Sequence, residues 1–150
     1  MDIKLGLVIK LRDPDNPANV VKAQFATIRS CPEMEVLLRE CARTQVAETA
    51  AIRKYQLALD EIDAAETPQA VDDALAKANS ANEARLDAGN ALLAAIHAFV
   101  VRGFVNGGAD QENAERLASI VGPEDLAELK MKCQFGSGVV DFTRTGAQSS

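Results

Sequence analysis

Hydrophobic and polar residues alternate at the start of the chain. Over residues 2 to 11, Ile3, Leu5, Leu7, Ile9 and Leu11 fall on one side and Lys4, Gly6, Val8 and Lys10 on the other. Period two is the mark of a half-buried strand. "RDPDNPAN" follows, dense in turn formers. Residues 20 to 28, "VVKAQFATI", alternate again with Val21, Ala23, Phe25 and Thr27 on one face. The pattern predicts an N-terminal β-hairpin over residues 1–29 with a long turn.

The period then changes to that of a helix. Ser30 and Glu33 have capping-box spacing, and Pro32 is tolerated in a first turn. Helical pattern continues to about Ala65. Thr67 can cap a second helix with Pro68 at its first position. That helix is expected to end near Arg102, at Gly103. Each helix would hold about 35 residues and measure roughly 50 Å. Two short helices are expected over 109–133, the first capped by Asp110 and the second opening at "GPED". Val139 to Thr143 reads as a short strand-like piece, within a 134–150 tail that ends in disorder. The fold class is therefore mainly α (α+β): a long antiparallel two-helix hairpin over 30–102, an N-terminal β-hairpin and two short C-terminal helices, in a single elongated domain.

Both long helices carry an apolar seam at steps of three and four. On the first it runs Leu38, Cys41, Gln45, Glu48, Ile52, Tyr55, Leu59, Ile62. On the second it runs Val71, Leu75, Ala78, Asn82, Arg85, Gly89, Leu92, Ile96, Phe99. A tight turn near residue 67 would set Ile62 against Val71, Leu59 against Leu75, Tyr55 against Ala78, Ile52 against Asn82 and Cys41 against Leu92. It would also set Glu48 against Arg85, a structural ion pair inside the seam. Such a pair fixes register at some expense in stability; a polar ligand site there is the alternative. Further apolar positions, Leu37, Val46 and Leu57, lie beside the seam.

Composition narrows the picture. The 150 residues suit one domain with its own core. Apolar residues make up 47% but aromatics only 4%, so alanine fills much of the apolar share and favours close helix packing. A net charge of -6 argues against a nucleic-acid binder and against docking on an anionic membrane. No run approaches the length expected of a membrane span. Cys31, Cys41 and Cys133 are odd in number and match no zinc or redox spacing, so they read as reduced thiols in a cytoplasmic protein. The N-terminus lacks the basic head and cleavage site of a signal peptide.

Candidate chemistry is sparse. His97 is the lone histidine and has no nucleophile or orienting acid spaced to serve it; it reads as a partly buried helix residue. Asp13, Asp15 and Asn16 lack the further oxygens and glycine of a calcium loop. Gly107 and Gly108 form a turn, not a phosphate loop. No catalytic residue, cofactor or metal is expected.

The pointed feature is residues 60 to 73, which hold six acids and no base, a charge equal to that of the whole chain. Asp60, Glu61, Asp63 and Glu66 fall at the C-terminal end of the first helix, where the dipole disfavours acids; Asp72 and Asp73 fall at the start of the second. The reading that follows is a non-enzymatic structural or assembly protein, self-associating and bound to protein partners, as in a virus or phage particle. The alternative is an acidic adaptor or inhibitor that holds a basic protein through those six acids. A third class is a small enzyme or ligand-binding bundle using Glu48 and Arg85. Because an isolated β-hairpin is marginal in water, the N-terminal hairpin is expected to pair with residues 139–143 or with a second copy, and an intermolecular contact is favoured because one short strand covers only one edge.

Overall fold

The computed structural model describes residues 6–13, 15–136 and 138–143. Ile3, Leu5 and the last residues of the predicted tail lie outside them. The described elements are β1 (Leu7–Arg12), β2 (Val20–Phe25), α1 (Glu33–Ala64), α2 (Pro68–Asn106), α3 (Gln111–Ala118), α4 (Pro123–Phe135) and β3 (Gly138–Asp141). The fold is mainly α, with two long packed helices, the N-terminal hairpin and two short C-terminal helices, as the pattern predicts. The chain divides into two compact units: Met1–Leu38 with His97–Ser150, and Arg39–Ile96.

In the first unit β1 is the middle strand of a sheet ordered β2-β1-β3. It runs antiparallel to β2, with Leu7 opposite Phe25 and Ile9 opposite Ala23. It runs parallel to β3, with Ile9 opposite Val140. The chain thus supplies its own third strand from the 139–143 segment. The alternation read from sequence buries Leu7, Ile9 and Leu11 and turns Arg12 to solvent. Against this face sits an aromatic cluster. Phe25 makes edge contacts with Phe99 at 5.5 Å and Phe104 at 5.1 Å between ring centroids. Such pairs add to the burial of the rings themselves.

Gly103 does not end α2, which continues to Asn106. It makes room for Phe25. A Cβ on Gly103 would fall inside that ring, and one on Gly107 would strike the Gln24 carbonyl. The bare backbone lets the strand lie close enough for Ala26 to donate its amide to Gly103 O at 2.9 Å. The glycine that marks a helix end in the sequence is a packing site in the structure.

Some local expectations are corrected. Ser30 and Glu33 do not form a capping box. The Ser30 hydroxyl accepts from Thr27 N at 2.9 Å and closes a Thr27–Ser30 turn, while Glu33 Oε1 accepts from Asn106 Nδ2. Thr67 does cap α2, its hydroxyl accepting from Ala70 N at 3.1 Å, and Asp110 caps α3 through Asn113 N at 2.8 Å. Asp72 and Asp73 lie beyond the first turn of α2, which holds no acid. By length and composition α2 is also apolar enough to cross a membrane, with an 18-residue window of mean hydropathy 1.5. Phe99, Val100 and Phe104 of this helix are buried in the first unit.

In the second unit the interhelical seam is made of small side chains. Cys41, Thr44 and Ala58 of α1 and Ala74, Ala78, Leu92 and Ala95 of α2 are buried. Thr44 satisfies its hydroxyl by donating to Glu40 O at 2.8 Å. The predicted register is displaced by about one helical turn along α2. Cys41 Sγ reaches Ala95 O at 3.4 Å rather than Leu92, and Glu61 reaches Lys77 Nζ at 2.9 Å. Alanine lets the backbones approach, so the seam rotates toward it. Ile52, Leu59 and Leu75, predicted at its centre, are left at its edge, 38%, 39% and 44% exposed.

Gly103→Ala is expected to destabilise the first unit despite alanine's better helix propensity. Overpacking against Phe25 should outweigh that gain and leave a net loss of about 1–3 kcal/mol. A lower urea midpoint with an unchanged slope would show it; an unchanged midpoint would mean that the ring moves aside freely.

Candidate interaction surfaces

The shifted register separates Glu48 from Arg85, and the predicted ion pair is replaced. Arg85 donates from Nη2 and Nε to Asn82 Oδ1, at 2.7 and 3.1 Å. Its guanidinium lies over the Tyr55 ring, 5.2 Å from the centroid. A planar cation on an aromatic face is favourable, most of all where water is partly excluded. The Glu48 carboxylate lies beside Gly89 instead, close enough that a Cβ there would approach Oε2 to 2.9 Å. Both side chains are half-buried, so neither is a desolvated charge, and the geometry gives no enclosed polar site.

The six acids of the hairpin tip are split. Glu61 pairs with Lys77, and Asp73 accepts from Gln69 at 3.0 Å. Asp60, Asp63, Glu66 and Asp72 are exposed and have no hydrogen bond or ion pair among the described residues. Screening by water and salt keeps such exposed charges weak individually.

The two flanks of the helical hairpin differ in character. One is charged: Lys54, Ala58, Lys77, Ser80, Ala81 and Ala84 line a shallow trough between the helices, and Glu61, Asp73 and Lys77 line another nearer the tip. The other flank follows from helical steps of three and four. On α1 these steps pass through Ala42, Gln45, Thr49, Ile52, Gln56 and Leu59. On α2 they pass through Leu75, Asn79, Asn82, Leu86, Gly89 and Leu93. Residues at that spacing share a face. None of these twelve is charged, in a chain with 25% charged residues. Leu86 and Leu93 are 51% and 65% exposed, adding to the edge residues Ile52, Leu59 and Leu75. Glu48 reaches the border of this flank beside Gly89, and Arg85 reaches it through its bonds to Asn82 Oδ1. The seam predicted from the sequence takes in Ile52, Leu59 and Leu75 and leaves Leu86 and Leu93 unassigned, so the flank is not visible in it.

In the first unit the acids of the β1–β2 turn bind a protein cation. Arg116 Nη1 of α3 lies 2.6 Å from Asp15 Oδ2 and 3.6 Å from Asp13 Oδ1. His97 is exposed rather than partly buried, with Nε2 3.6 Å from Glu115 Oε1. A nucleophile does not join them among the described residues, and no three ligating side chains are gathered for a metal. Met131 and Phe135, one turn apart on α4, are exposed. The three cysteines are free thiols. Burial pushes the Cys133 thiol up to about 11. Partial burial, then the neighbouring Glu33 carboxylate, raises that of Cys31.

No family model matches the chain, and neither a curated protein nor a solved structure matches it.

The geometry of Arg85 separates two substitutions. Glu48→Ala is expected to change stability by less than about 1 kcal/mol, as suits a partly exposed charge. Arg85→Ala loses the Tyr55 stack and the Asn82 bonds and is expected to cost about 1–2 kcal/mol, read from urea unfolding. Equal losses for both would restore the direct pair. Alkylation at pH 8 gives a second check: iodoacetamide is expected to modify Cys31 in the native protein, and Cys133 only on unfolding. Native labelling of Cys133 at the same rate would mean that the α4 contact opens readily.

Proposed function

We propose that the chain is a non-enzymatic structural or assembly protein that acts through self-association and protein–protein contacts, of the kind that builds multi-subunit particles such as a virus or phage. The observation that carries this reading is the uncharged flank of the helical hairpin, with Leu86 and Leu93 more than half exposed. Exposed leucines gathered on one face mark contact sites, and depletion of charge is what distinguishes an interface core. Its chemistry suits packing and offers no reacting group. In this reading the chain works in the cytoplasm with its three thiols reduced.

A second reading is supported by the tip. Asp60, Asp63, Glu66 and Asp72 remain available to a basic partner, in keeping with an acidic adaptor or inhibitor. A contact of that kind is electrostatic and weakens with salt.

Light scattering on the eluting protein distinguishes the two. Self-association predicts a mass above one chain, rising with concentration and little affected by salt. A strict monomer at high concentration that captures a basic partner only at low salt would favour the adaptor.

A further inference from the structure

Two crowded charge arrangements of opposite sign stand on this chain, each unfavourable by itself. The first is on the sheet, on the face turned away from the core. There Val8 lies between Gln24 and Val139, Lys10 lies between Lys22 and Asp141, and Arg12 faces Val20. Asp13 donates its amide to Asn19 O at 3.0 Å in continuation of that register, which makes Lys10 and Lys22 a non-hydrogen-bonded pair. Side chains are closest in such pairs, and like charges directly opposite are destabilising. Neither lysine has a hydrogen bond or ion pair among the described residues. Arg12 donates only to the neutral carbonyls of Thr143 and Pro17. The one acid of the face, Asp141, accepts from Thr143 N and Oγ1. Three cations against one acid make this face positive in a chain of net charge -6.

The second arrangement is the tip of the helical hairpin. Asp60, Asp63 and Glu66 gather at the C-terminal end of α1, whose last turn holds no base. The free carbonyls of a helix end are themselves negative and add to that charge. With Asp72, these acids have no partner among the described residues. Local rules are broken where a surface has a use, and here each breach supplies what the other lacks. We propose that the acidic tip of one copy docks on the basic sheet face of the next, head to tail. This rests on the self-association reading and adds to it a second, electrostatic contact apart from the uncharged flank.

The two surfaces match in size and in character. Three strands about 4.8 Å apart, with six residues at about 3.3 Å each, present a face of roughly 15 by 20 Å once side chains are included. The end of two packed helices, each about 10 Å across, is about 20 Å wide. Val20 and Val139 flank the lysines, 50% and 61% exposed, and Ala64 and Pro68 are exposed at the tip to meet them. A footprint of about 300 Å² on each partner is well below that of a stable dimer, so the contact belongs to the weak, transient class. It is held by charge and is therefore sensitive to salt. Because the two surfaces differ, the contact is heterologous and joins further copies into a ring or a filament.

The test is a charge swap in the full chain, read by light scattering at about 0.5 M and about 0.02 M salt. Wild type is expected to keep its flank-mediated mass at high salt and to gain mass at low salt. One variant reverses the sheet, Lys10→Glu with Lys22→Glu; another reverses the tip, Asp63→Lys with Asp72→Lys. Each alone is expected to weaken the low-salt association by about tenfold or more. Mixed together they are expected to regain it, because each then offers the charge that the other's reversed surface needs. Circular dichroism confirms that each is folded; where a reversal unfolds the chain, Lys10→Gln with Lys22→Gln, or Asp63→Asn with Asp72→Asn, reads the same loss. A reversed or neutralised variant that keeps the low-salt gain overturns the proposal, as does a mixture of folded variants that fails to regain it. A wild-type oligomer whose mass ignores salt overturns this contact and leaves self-association standing. A wild type that is monomeric at both salts overturns both.

Discussion

Two helices packed side by side bury only the stripe along which they touch, and here that stripe is built largely from alanine, cysteine and threonine. A narrow stripe of small side chains removes little apolar surface from water, because burial scales with area. What it allows is close approach of the two backbones. The larger residues cannot occupy a seam that close, so Ile52, Leu59, Leu75, Leu86 and Leu93 line one side of it. The internal packing of the hairpin and its outward apolar face therefore have one cause. A seam made of leucine would bury its own bulk and leave less to offer a partner.

The first unit solves the opposite problem. It has a real interior, and a single ring organises it. Phe25 ends β2, meets Phe99 and Phe104 edge-on, and lies on the bare backbone of Gly103. With few aromatics in the chain, each holds a large share of the buried area. The β1–β2 turn is then held from the side by Arg116 through Asp13 and Asp15. The sheet needs β3 because two strands alone are marginal. The strand that completes it returns from the far end of the sequence, after α4.

Elements were legible in the sequence where one physical signal dominates. Period-two alternation located β1 and β2, and the Thr67-Pro68 and Asp110 signals located two helix starts. Register was not legible. It depends on how closely two helices approach, and hydrophobicity ranks leucine above alanine while packing at short distance does the reverse. That error carried Arg85 onto Glu48, when its partners are Asn82 and Tyr55. Gly103 failed for a related reason: a glycine that ends a helix and one that admits a ring look alike until the ring's position is known. The turn that gathers the acids was legible, but sequence could not say that Lys77 and Gln69 engage only Glu61 and Asp73.

The concentration of charge at the tip acquires a physical role once the uncharged flank is considered with it. Apolar faces on a soluble chain attract many partners in many registers, and specificity comes from penalising the wrong ones. Six acids at one end of a hairpin penalise any arrangement that brings two such ends together. Their mutual repulsion falls with distance and with salt, so it acts on the choice of direction more than on the strength of contact. The acids sit toward the turn, where Asp63 and Asp72 follow Leu59 and Leu75 on the same helical spacing and stand in water. Exposure keeps their cost to folding small while their sign still selects orientation. Burying them in the seam would have exacted a large desolvation penalty for the same information.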